Sequence, residues 1–166
     1  MPKPQTGLDS DARLRAEIVA LLRGGHAHVD TATALDGIPF ERVNERIDGL
    51  PYSIWELVYH LWFAQHDILV FILNPDYEGH DWPDDYWPSD DAIPEAWADT
   101  MQAFHSDLDR IVALVEDTDR DLTAEFGHAP GYTLLRQALL VADHNAHHLG
   151  ELIVLRRLLG IWEPQT

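Results

Sequence analysis

Apolar residues recur with a helical period in four separate segments of this chain, and no stretch reads as a strand. Pro-, Gly- and Asp-rich stretches separate the four. The first runs from about Ser10 to Leu35, with Leu14, Ile18, Leu21, Leu22, Gly25, His28, Val29, Ala32 and Leu35 on one stripe. Gly24 and Gly25 weaken it locally. A short helical turn is expected around Phe40–Ile47. The second opens on Ser53-Ile54-Trp55-Glu56, a capping box with Ser53 as N-cap and Glu56 at the third helical position. It reaches about Leu73, where Asn74-Pro75 stops it, and it is apolar nearly all round, as suits a central helix. The third starts at Pro94 and ends near Glu116, with Phe104, Leu108, Ile111, Val112 and Val115 along its stripe. The fourth runs from Thr133, an N-cap, to Leu159, with Gly160 as the residue that ends it and Pro164 just beyond. Four such helices predict an all-α four-helix bundle, with residues 1–166 as one domain.

The segment from Asn74 to Ile93 is long for a connection with no regular structure. It is rich in Trp, Tyr, Pro and Asp. Two readings stand side by side: a functional loop, or a crossover strapped to the surface by Trp82, Tyr86 and Trp87.

Composition narrows the functions. The chain has 29 Asp+Glu against 11 Lys+Arg, a formal charge of −18. Nucleic acid is not an expected partner, because phosphate binding needs clustered Lys and Arg. No apolar run is long and uncharged enough to span a bilayer, and the first residues lack the pattern of a secretory signal. The expectation is a cytoplasmic protein with no membrane partner. There is no cysteine. Disulfides and thiolate ligands are therefore excluded, and any reacting thiol must come from outside the chain.

Ten histidines remain to be sorted. His144, His147 and His148 fall within one short stretch of the fourth helix. On a wheel with Leu134 at the origin, the apolar stripe centres near about 20°, His148 near about 320°, His144 near about 280° and His147 near about 220°. His144 and His148 thus share a flank as an i, i+4 pair, and His147 points to solvent. On the second helix His60 falls among Leu57, Ala64 and Phe71, while His66 falls on the opposite face. Three imidazoles from two helices make a half-open site for a divalent ion such as Zn²⁺ or Ni²⁺, with a position left for water or a small-molecule substrate. His28 lies on the stripe of the first helix, as a possible fourth ligand or a core residue. His26 and His105 lie at stripe edges, His80 and His128 in loops. Asp143 or Glu151 could orient a ligand imidazole, with Glu151 also a candidate base. Asn145, in the centre of the stripe, needs a buried partner, either at the site or across helices.

With His60 inside an apolar helix, and His144-x-x-x-His148-x-Gly150 followed by Leu159-Gly160 in the last, the chain resembles the DinB-like superfamily, including its YfiT-like members. The resemblance spans about Ser10 to Trp162. It implies a four-helix bundle, a histidine triad of His60, His144 and His148 on a divalent metal, and a homodimer. The family often has Gln where Glu151 stands. Some members are thiol-dependent transferases, one of them a mycothiol-dependent maleylpyruvate isomerase. The resemblance therefore implies a transferase in which the metal activates a low-molecular-weight thiol. An anionic cosubstrate would need a basic patch, for which Arg136, Arg156 and Arg157 are the candidates. A non-catalytic metal-binding stress protein and a metal-dependent hydrolase are the alternatives, and a purely structural bundle is the third.

Overall fold

A computed structural model describes residues 9–162. Pro164, expected just past the last helix, lies outside them. The chain forms α1 (Ser10–Arg23), α2 (Thr31–Leu35), a 3-10 turn (Phe40–Arg42), α3 (Ile54–Leu73), a second 3-10 turn (Asp84–Tyr86), α4 (Pro94–Glu116) and α5 (Leu134–Leu158). A small antiparallel hairpin, β1 (Glu125–Phe126) and β2 (Ala129–Thr133), precedes α5. The fold is all-α apart from this hairpin. The long helices form a ring in which α3 packs on α4 and α5, and α1 packs on the same two. No helix among the described residues is long and apolar enough to cross a membrane.

The boundaries follow from local chemistry. The Ser53 hydroxyl accepts the Glu56 N–H, and the Glu56 carboxylate accepts the Ser53 N–H at 2.7 Å. The two bonds satisfy donors that the first turn of α3 would leave free. Ser53→Ala should lower stability by about 1 kcal/mol in urea denaturation. Pro94 occupies the first position of α4. The Thr133 hydroxyl caps α5 by accepting the Arg136 N–H. Gly160, with φ 70°, takes the left-handed conformation that ends α5.

Two expectations need correction. The first helix does not continue to Leu35. Gly24 and Gly25 adopt φ 74° and 94°, a region that breaks an α-helix, and the chain turns before α2 begins. Asp30 restarts it, its carboxylate accepting both the N–H and the hydroxyl of Thr33. The buried face of α1 is also rotated. Arg15, Ile18 and Leu22 are buried, whereas Leu14 and Leu21 are 41% and 51% exposed. The hairpin is the second correction. The segment before Thr133 is polar, and its pairing follows from a turn at Gly127, not from hydrophobic alternation.

The core lies where the four long helices meet. Leu57, Leu61, Phe104, Ile111 and Leu152 are fully enclosed there. One polar chain crosses it. The Asn145 amide donates to the Gln65 side-chain oxygen at 2.9 Å, and the Gln65 amide donates to the Phe104 carbonyl at 2.8 Å. Asn145 therefore has its partner across the helices, tying α5 to α3 and α4.

Candidate metal centre

Because α3 packs along α5, residues on their facing stripes meet. His60 comes from α3 and is 2% exposed; His144 and His148, one turn apart on α5, are half-buried. One ring nitrogen from each lies within 4.8 Å of the others. The Nε2 atoms of His60 and His144 are 3.1 Å apart. Two imidazole nitrogens on one tetrahedral ion at ordinary Zn–N lengths would stand about 3.3 Å apart. The pair is spaced for a shared cation.

The outer nitrogens are already committed. His60 Nδ1 faces the Tyr86 carbonyl at 3.2 Å, and His148 Nδ1 faces Glu151 Oε2 at 2.6 Å. Both partners only accept, so both Nδ1 atoms carry the proton, and each neutral ring keeps a bare Nε2. A carboxylate or carbonyl behind each imidazole is the arrangement that fixes ring and tautomer in metal sites. The residues present therefore fit a divalent ion.

Electrostatics favours the neutral form of His60 and His144. Burial, then the nearby His148, lowers the His60 pKa. Burial, then His148 and His60, lowers that of His144 from 6.5 to about 4. Burial opposes ionisation of Glu151, but the bonds from His148 and Tyr52 outweigh it and hold the carboxyl below its usual range. The unfolded chain binds more protons than the metal-free fold between the ordinary histidine value of 6.5 and about 4. Stability of metal-free protein should therefore fall as pH drops through that window. Urea midpoints at neutral pH and at pH about 5 would check this, with a flatter dependence in His144→Asn.

The other histidines lie elsewhere. His147 is exposed on the outer side of α5, its Nε2 3.5 Å from Glu151 Oε1. With His148 and Glu151 it forms a second, more exposed group of ligand type. His66 pairs with Asp107 at 2.7 Å. His128 bonds the Phe71 carbonyl. His26 and His105 are exposed. His28 is not brought to the cluster, because the break at Gly24 turns it into an exposed loop, where Nδ1 bonds the Val29 carbonyl. Asp143 is exposed, which leaves Glu151 as the carboxylate beside a clustered ring.

The loop after α3 both straps and builds the site. Trp87 stacks on His60, with ring centroids 4.3 Å apart and planes 3° apart. Tyr86 supplies the carbonyl to His60, and its hydroxyl donates to Asp67 Oδ2 at 2.6 Å. Tyr77 donates to Asp67 Oδ1 at 2.7 Å. Burial, then these bonds to Asp67, push both tyrosine pKa values up. Asp67 was not singled out in the sequence. Its signal is the one carboxylate in the apolar helix beyond the Glu56 cap, two turns after His60 and so on the same face.

The three histidines open on a cleft of about 340 Å³. Ala64, Ile68 and Leu140 form an apolar wall, and Trp82, Tyr86 and Asp67 complete it. Glu151 lies behind His148 and does not line this cleft.

No curated protein and no solved structure matches the chain. The family model of the DinB superfamily matches residues 25–152, a span that includes His60, His144, His148 and Glu151. The chain belongs to the DinB superfamily.

Proposed function

We propose that His60, His144 and His148 hold one divalent ion, zinc or nickel before others, and that the site is a metal-dependent transferase using a low-molecular-weight thiol. One observation carries the metal reading. Two of the three imidazoles have Nδ1 committed to acceptors behind them, and the bare nitrogens converge beside an open cleft. Three protein ligands and an open side characterise reactive sites, since structural sites close all four positions.

A bound ion would supply Lewis acidity, lowering the pKa of a thiol that reaches it. The protein has no cysteine, so that thiol comes from a cosubstrate. His60 and His148 hold their donor atoms still through Tyr86 and Glu151. Trp87 backs the His60 ring by stacking on it, and the apolar wall of Ala64, Ile68 and Leu140 offers a surface for a substrate body. A hydrolase using Glu151 as base finds no support, since that carboxylate is engaged by His148 outside the cleft.

Metal-loaded protein should consume thiol when offered bacillithiol, mycothiol or glutathione with a chloro-aromatic or epoxide acceptor. Chelator-stripped protein should not. No consumption with any thiol would leave a metal-binding protein without this catalysis.

A further inference from the structure

Asp67 is a buried carboxylate that no Lys or Arg among the described residues pairs with. It is 8% exposed and stands in the wall of the metal cleft. Two tyrosine hydroxyls donate to it, one on each oxygen. An ionised carboxylate offers roughly four acceptor sites, so about half its capacity is left. His80 comes near, but its Nε2 stands 3.8 Å from Oδ1, beyond hydrogen-bond length. Burying a carboxylate without a cation is unfavourable, and hydroxyl donors offset that only in part.

The rest of the cleft is one-sided in charge. No Lys or Arg lines it. The loop that supplies Trp82 and Tyr86 is rich in Asp and has neither Lys nor Arg, and its one histidine, His80, stands between Asp67 and Asp85. Arg156, a candidate for an anion patch, is buried against the Ala34 carbonyl at 2.6 Å. Arg136 lies over the Tyr132 ring, 4.3 Å from its centroid. Away from the metal position, the charge at the Asp67 end of the cleft therefore favours a cationic group.

Distance sets the size of the occupant. Asp67 lies seven residues after His60 on one helix face, about 10 Å along the axis. A donor atom at the histidine cluster and a group at Asp67 leave room between them for one ring, beside Ala64, Ile68 and Leu140. We propose that the cleft binds a small molecule with a metal-coordinating atom at one end, an apolar ring-sized body, and an ammonium group that pairs with Asp67 at the other. The proposal rests on the metal reading above and names the class of molecule that site accepts.

Cobalt-loaded protein offers a direct binding test through the thiolate-to-cobalt absorption band. Three probes share one body: para-(aminomethyl)benzenethiol, para-methylbenzenethiol and para-mercaptobenzoate. Affinity should fall in that order, with roughly tenfold or more between the first and the last. In Asp67→Asn the preference for the ammonium probe should vanish while cobalt content stays. Tyr77→Phe, which loosens the strap but keeps the carboxylate, should retain the preference. Equal affinities in the wild-type protein, or an unchanged preference in Asp67→Asn, would overturn the proposal while leaving the metal reading in place. Failure to take up cobalt would overturn both.

Discussion

Replacing His144 with alanine is expected to reduce bound metal from about one ion per chain to almost none after dialysis. Three imidazoles are the fewest protein ligands that ordinarily hold such an ion with an open position, and the loss of one leaves a bidentate remnant. His60 and His148 alone sit on different helices, without the close His60–His144 contact at 3.1 Å. His60→Ala should lose the ion equally. His147→Ala is the matched control, because its ring is exposed on the outer side of the same helix and should leave the content unchanged. Elemental analysis of the purified proteins decides it. Equal metal in wild type and His144→Ala would remove the site. Loss of fold does not explain the expected result, because the half-buried imidazole is neutral and anchors no backbone group. Circular dichroism of His144→Ala should accordingly match wild type.

The triad could be read from sequence because it depends on helical period alone. Spacing of four residues put His144 and His148 on one flank, and the apolar neighbours of His60 turned it inward. Helix ends were equally legible where one residue type has one use: the Ser53 capping box, Pro94, Thr133 and Gly160. What was not legible depended on partners far away in the chain. Asp67 gains its meaning only when Tyr77 and Tyr86 fold back over α3. The same fold-back makes Tyr86 the acceptor for His60, a backbone role that no side-chain pattern signals. The stripe through Leu14, Leu21 and His28 fails for two reasons: the break at Gly24 turns His28 away, and the face of α1 that is buried is the one carrying Arg15, a residue that an apolar pattern does not count.

That arginine carries the largest stability effect expected. Arg15 on α1 is 6% exposed, and its guanidinium reaches the end of α4. Nη1 donates to the carbonyls of Val115 at 2.7 Å and Asp117 at 2.9 Å, and Nη2 donates to that of Arg120 at 2.6 Å. Nε donates to Asp11 at 2.6 Å. The last carbonyls of a helix lack partners within it, and a cation there is favoured by the helix dipole. Arg15 therefore closes α4 from a neighbouring helix and ties the following turn to α1. Arg15→Met keeps much of the apolar stem but leaves three carbonyls without their donor. Only the Val115 bond is wholly buried, and the Asp117 and Arg120 carbonyls lie at the partly exposed edge, so the expected destabilisation is about 2–3 kcal/mol. For a chain of this size that lowers Tm on the order of 10 °C. Urea and thermal unfolding would measure it, and a change under about 1 kcal/mol would mean that water replaces the guanidinium at all three carbonyls. Bound metal at low temperature should stay near one ion per chain, because Arg15 bonds none of the residues that hold the histidines. The two variants thus separate cleanly: His144→Ala should lose the ion and keep the fold, and Arg15→Met should keep the ion until the fold is lost.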